Sequence, residues 1–190
     1  MVMARRRGGV LLDAIHAAVL DELVASGYAG LTIERVAERA RTGKGSIYRR
    51  WPTRLDLVLD TLDHTLPQVD VLPDTGNIRT DLIEALWHIA TVMNSPAGDA
   101  ARACFGPEVD EELAQAIRDR LLPPRKKGLL AILRRGVARG EVRPGAVRTR
   151  VAEVGPMLLH GEMLQRGRIT REAVRDIVDE VLMPLLRFSG

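Results

Sequence analysis

Residues 43–51 read GKGSIYRRW and are followed by Pro52. Their order predicts a helix of about two turns, since Pro52 lacks the N–H and the φ freedom needed to continue it. Ile47 and Trp51 lie one turn apart and form one apolar side. Lys44, Gly45, Tyr48 and Arg49 face the other way. Taken alone, such a stretch is either a solvated surface turn or a short helix meant to lie against something negatively charged. Gly43 and Gly45 let the backbone approach a phosphate without side-chain obstruction, and the free N–H groups at the helix start favour an anion.

The preceding segment supports that reading. In LTIERVAERA (residues 31–40), Thr32 is placed as an N-cap. Leu31 before it and Val36 four residues into the helix have the spacing of a hydrophobic staple. Arg35 stands where a full capping box needs Glu or Gln. The helix is expected to end near Ala40, and Arg41-Thr42-Gly43 turns the chain into the 44–51 helix. Upstream, Val10–Ser26 carries the helical stripe Leu11, Ile15, Ala18/Val19 and Leu23, with Gly27 placed to close it in a left-handed conformation. Downstream, Thr53-x-x-Asp56 opens a fourth helix with the stripe Leu55, Val58/Leu59, Leu62 and Leu66. Helix, sharp turn and short cationic helix make a helix-turn-helix pattern.

This stretch, GYAGLTIERVAERARTGKGSIYRRWPTRLDLV, resembles the DNA-binding domain of the tetracycline-repressor (TetR) family of bacterial transcription factors. The resemblance spans roughly residues 10–60. It rests on Gly27-Tyr28, the Thr-Ile pair opening the second helix, Ile47-Tyr48, and the Trp-Pro-Thr-Arg stretch before the fourth. It implies that Thr32, Lys44, Gly45, Ser46, Tyr48, Arg49 and Arg54 contact DNA, with Arg41 and Thr42 added from the turn. Thr32 and Arg54, at helix starts, address phosphates; Arg49 reaches a phosphate or a guanine edge. The family turn usually carries Gly at Arg41 and a Val-like residue at Thr42. A left-handed Arg41 would cost about 1 kcal/mol relative to Gly. Arg5-Arg6-Arg7 is placed to act as an arm on the DNA backbone or minor groove.

Charge follows the same division. Residues 1–54 hold 10 Lys/Arg against 5 Asp/Glu, and residues 55–190 hold 18 against 20, so the excess behind the net +3 lies at the N-terminal end. Hydrophobic residues make up 46% and aromatics only 3%, so the core must be aliphatic, a composition that suits helices. No alternating run or Asn-Gly hairpin signals a strand. The fold class expected is all-α: an N-terminal three-helix helix-turn-helix domain over 1–54, a connecting helix over 53–66, and a helical regulatory and dimerisation domain over 67–190. PQVDVLPDTGN (67–77) is the linker. The second domain should hold helices over Ile78–Met93, Ala97–Cys104, Glu108–Arg139 with a kink at Pro123-Pro124, Val147–Gln165 and Thr170–Leu186.

The last two helices suit a homodimer, the alternative being that their stripes complete the protomer's own core. Their stripes offer Val151, Val154 and Leu158, then Val174, Ile177 and Val181, with Gly155 allowing close approach. A dimer would set two recognition helices into successive major grooves of a near-palindromic operator, about 34 Å apart. The resemblance also implies a small-molecule effector. Its candidate contacts, picked for size and polarisability, are Trp87, His88, Met93, Cys104, Phe105, Met157 and His160, with Met163, which points to a hydrophobic ligand.

The expected function is therefore a transcriptional repressor released by such a ligand. An effector-independent helix-turn-helix DNA-binding protein is the alternative, and a helical enzyme is disfavoured. Glu84 and His88 are four apart and do not form the Glu-x-x-His pair of a di-iron bundle. Ser46 has no nucleophile-elbow setting, and Cys104 has no spaced partners for zinc. No cofactor is expected. The lone cysteine suits a reducing cytoplasm. No apolar run reaches the ~18 residues of a membrane span. Asp13, His16, Asp21 and Glu22 interrupt the signal-like start.

Overall fold

The computed structural model describes residues 9–66, 72–104 and 110–187; Arg5–Arg7, Phe105 and part of the 67–77 linker lie outside them. Among the described residues every regular element is helical. The contacts divide the chain into two compact units, Met1–Thr65 with Pro96–Arg118 and Leu66–Ser95 with Asp119–Gly190.

In the first unit, α1 (Gly9–Gly30) runs regularly to Ser26 and kinks at Gly27, whose φ of 64° and ψ of −179° fall in a region open essentially to glycine alone. The expected positive φ is present, in an extended rather than an αL form. α2 (Ile33–Arg39) starts at Thr32, whose Oγ1 accepts from Arg35 N at 3.3 Å. Leu31 and Val36 are fully buried, as a staple requires. Thr42 N donates to Ala37 O and Arg41 N to Glu38 O, at 2.9 and 3.0 Å. Those two bonds form a Schellman turn with Arg41 in the position that favours glycine. Its φ is 52°. Arg41→Gly is therefore expected to raise the unfolding free energy by about 1 kcal/mol, read as a higher denaturant midpoint.

α3 (Lys44–Tyr48) follows Gly43, and Trp51 N closes the turn beyond it by donating to Ile47 O at 2.9 Å. α4 (Arg54–Thr65) opens on Thr53, which exchanges hydrogen bonds with Asp56, and buries Leu57, Val58, Thr61 and Leu62. The core of this unit is built from Ile15, Val19 and Leu23 of α1, Leu31, Val36, Ile47, Trp51 and the α4 residues. By its contacts this unit also takes in α4 and Pro96–Arg118. α6 (Pro96–Arg102) packs against α1 through small buried residues, Gly98, Ala100 and Ala101, which let the two helices lie close. α7 (Glu111–Ala116) is capped by Asp110, which accepts from Glu112 N and Leu113 N.

In the second unit, α5 (Ile78–Met93) has its first amides closed twice: Asn77 Oδ1 accepts from Thr80 N, and Glu141 Oε2 accepts from Ile78 N at 2.5 Å. α8 (Leu122–Ala138), α9 (Thr149–Arg166), α10 (Arg171–Asp176) and α11 (Met183–Leu186) pack around it. The core brings together Leu82, Leu86 and Ala90 with Ile132, Leu133, Leu159, Val174, Val178 and Leu182. The interruption expected at Pro123-Pro124 takes the form of a π-helical turn at Ile117–Leu121, immediately upstream. A second π turn, Ile177–Leu182, precedes Pro184. Proline has no N–H to give and its ring crowds the carbonyl four residues back, so a wider turn relieves both conflicts. Gly167, with φ 69°, closes α9, and the Asn94 side chain holds the next residues by exchanging two hydrogen bonds with the Ile169 backbone.

Candidate nucleic-acid interface

The division of α3 into two sides holds in three dimensions. Ile47 and Trp51 are buried, while Lys44, Gly45, Tyr48, Arg49 and Arg50 are exposed, Tyr48 to 48%. Thr32 and Arg41 are exposed beside them, and Thr42 and Ser46 are half-buried. Two features were not expected. Lys44 Nζ donates to Oε1 of Glu34, on α2, at 2.8 Å, holding the ammonium above the usual lysine range and the carboxyl below its own. Arg54 is committed inward: its Nη1 donates to Leu31 O at 3.2 Å and Ala29 O at 3.4 Å, and its guanidinium stacks 4.1 Å over the Tyr28 ring. A phosphate contact would have to share that guanidinium.

Two polar clusters, each centred on one buried group and closed by more exposed partners, hold the face in place. Glu22 of α1 is almost fully buried and is clamped by arginines of α2, through Arg35 Nε at 2.8 Å and Arg39 Nε and Nη2 at 2.9 and 2.7 Å. Asp60 of α4 accepts from Trp51 Nε1 at 2.9 Å and lies 3.2 Å from His16 Nε2 of α1. One carboxylate thereby ties α1 and α4 to the residue whose amide closes the turn after α3. The His16 ring also meets His64, with centroids 4.8 Å apart.

Burial pushes the His16 pKa below the usual histidine range, despite the opposing pull of Asp60; His64 and Arg50 push the same way as burial. Its Nδ1 is buried without a hydrogen-bond partner, so a proton arriving there finds no acceptor. The unfolded chain binds that proton more readily than the folded one. Stability from this group is thus complete above about pH 6.5 and is lost as pH falls through the lowered folded value. Denaturation midpoints taken from pH 7.5 downward should fall, and His16→Gln should flatten that limb.

The effector candidates do not gather into one site. His88, Met157 and His160 are exposed, and Trp87 and Met93 are half-buried. Cys104 is buried in the first unit, its thiol pushed up to about 12 by burial, and Phe105 lies outside the described residues. A small cavity of about 20 Å³ lies elsewhere in the second unit, lined by Leu82, Leu86, Leu129, Leu133, Val151, Ala152, Gly155, Pro156, Leu182 and Leu186. Of all the candidates, only Val151 and Gly155 touch it, and both were assigned to dimerisation. Its lining is ordinary aliphatic side chains, without the polarisable or amphipathic groups that marked the expected contacts.

The dimer candidates differ in how far the protomer itself covers them. Val174 and Ile177 are buried in the protomer's own core. A Cβ on Gly155 would sit 2.9 Å from Leu86 Cδ2, so this glycine serves helix approach within one protomer. Val151, Val154 and Val181 are half-buried. Among the described residues of this unit, the large apolar side chains left exposed are Met157 (65%), Leu158 (37%), Leu164 (82%) and Leu185 (39%).

Comparison with known proteins matches two stretches of the chain, the second of which, residues 72–181, also takes in Pro96–Arg118 of the first unit. Residues 15–61 match the family described as bacterial regulatory proteins, tetR family, and residues 72–181 match tetracyclin repressor-like, C-terminal domain. A DNA-binding transcriptional repressor TetR from Mycobacteroides abscessus is 32% identical over 186 residues, covering 95% of this chain and 96% of that one. The crystal structure of the TetR family transcription regulator SCO0332 superposes with a TM-score of 0.65 at 28% identity, covering 92% of this chain and 97% of that one. FadR from Bacillus subtilis, solved with stearoyl-CoA, superposes with a TM-score of 0.70 at 14% identity, covering 92% and 97%, a likeness of fold alone.

Proposed function

Since the chain belongs to the TetR family of transcriptional regulators, we propose that it represses transcription by binding a near-palindromic operator as a homodimer, and that a small apolar ligand releases it. The observation that carries the reading is α3 itself: one side locked by buried Ile47 and Trp51, the other presenting Tyr48 and Arg49 to solvent. Tyr48 offers a flat ring to a thymine methyl or sugar, and Arg49 offers a fork to guanine or phosphate. Thr32, Arg41, Thr42, Lys44, Gly45 and Ser46 surround them, while Arg54 chiefly braces Tyr28. Repression comes from the Mycobacteroides abscessus relative, whose name carries it.

The dimer surface is moved to Met157, Leu158, Leu164 and Leu185, with Val154 and Val181 at its margin. The ligand is placed at the aliphatic cavity, whose Leu, Val, Ala, Gly and Pro lining favours a neutral apolar molecule over a charged one. A ligand lowers operator affinity only if it prefers the non-binding conformation. The cavity holds little more than a water-sized sphere, so a ligand must open it. That small size favours a second reading, an operator-binding protein without an effector.

Selection of duplexes from a randomised library, repeated with neutral apolar compounds, tests both. The first reading expects two half-sites a helical turn apart and release by at least one compound. Operator binding indifferent to every compound supports the second. Failure to enrich any duplex at low ionic strength ends both.

A further inference from the structure

Glu34 lies on the same exposed surface as the proposed DNA contacts and has no role in the reading above, on which the present inference rests. We propose that Glu34 is a specificity-determining residue, a carboxylate that withholds Lys44 from phosphates unless a base edge offers an amino group in its place.

Glu34 and Lys44 are ten residues apart and on different helices, yet their charged atoms meet at 2.8 Å, with 60% and 54% of their side chains exposed. An ion pair this exposed contributes little to stability, so the fold does not require it. Its effect falls on binding. Attraction to non-cognate duplex comes almost wholly from cations meeting phosphates and releasing counterions. While Lys44 is held by Glu34, that lysine releases none, and the carboxylate itself is repelled. On a matched major groove the balance changes. A carboxylate can accept from a cytosine N4 amino group, and the freed ammonium can donate to guanine or to a phosphate. The penalty is thus removed only where the right base stands opposite, which is discrimination by repulsion elsewhere. With both groups held in their charged forms, the pair keeps this character at physiological pH.

The test compares the full-length chain with Glu34→Gln on two probes: a duplex selected by the wild-type chain, and a random-sequence duplex of equal length. Affinities are measured across a salt series. Glu34→Gln should bind the random duplex about tenfold more tightly while gaining nothing on the selected one, a loss of discrimination of the size one base contact supplies. The slope of log affinity against log salt for the random duplex should steepen by about 0.9 for each lysine freed. Adding Lys44→Gln should cancel that steepening. Reselection with Glu34→Gln should lose one base-pair preference in each half-site. Equal shifts on both probes, with unchanged slopes and the same selected sequence, overturn the proposal and leave the DNA-binding reading standing. A wild-type chain that selects no duplex removes both.

Discussion

Tyr48→Ala combined with Arg49→Ala is expected to abolish operator-specific binding while leaving the fold and the oligomeric state unchanged. Both side chains are exposed, and burial on α3 is carried by Ile47, with Trp51 following it. Removing them therefore opens no cavity and strands no buried polar group, so the stability cost stays within the small range of surface substitutions. The binding cost is large because a twofold complex uses each residue twice. Taking about 1 kcal/mol as the low end for each lost contact, four contacts amount to about 4 kcal/mol, roughly a thousandfold in affinity. Fluorescence anisotropy with a selected duplex measures it, and circular dichroism checks the fold. A loss below tenfold would mean that another element reads the DNA. Ile47→Asp is the contrasting case. It puts a charge into the centre of the first unit, so binding disappears together with the domain.

What the sequence made legible here was local. The staple of Leu31 and Val36, the cap at Thr32 and the sidedness of Ile47 against Tyr48 all lie within a few residues of each other. Helical geometry alone converts such spacing into structure. The positive φ of Arg41 could be anticipated because a Schellman turn demands it whichever residue is present. Prolines 123 and 124 marked a break for the same kind of reason, and the π turn upstream is how the chain accommodates it.

Features that depend on tertiary placement were hidden. Glu34 meets Lys44 only because the turn brings the two helices together; in sequence it is one more charge on an exposed helix face. Arg54 occupies a helix start that suggests a phosphate contact, and only the position of Tyr28 shows where its guanidinium goes. An apolar stripe such as Val174–Ile177 shows that a face will be covered, without saying whether the cover is the same chain or a second copy. α6 joined the first unit through alanine and glycine, residues too small to leave a hydrophobic pattern. The cavity escaped for a related reason: leucines beside empty space and leucines in a filled core have the same spacing.

The second large effect is on assembly, and it separates the dimer surface proposed from the exposed side chains from the one expected from the sequence. Met157→Glu combined with Leu158→Glu should give a folded monomer of about the chain mass, 20.9 kDa, in sedimentation where the wild-type chain is expected to run at twice that. The two side chains are 65% and 37% exposed, so the protomer tolerates charge there. In a twofold interface the same substitutions appear on both sides, removing four apolar side chains and setting carboxylates against each other. At about 1.5 kcal/mol for each lost burial the penalty is about 6 kcal/mol, a weakening on the order of ten-thousandfold before repulsion is counted. A monomer can occupy only one half-site at a time, so operator affinity falls with it even though every residue of α3 is intact. Ile177→Glu supplies the other half of the comparison. That side chain is 8% exposed and sits in the core with Val174 and Val178, so it should unfold the second unit instead of releasing an intact protomer. A dimer that survives the Met157/Leu158 change would place the contact on another face, whereas a folded monomer from Ile177→Glu would restore the stripe first read from the sequence.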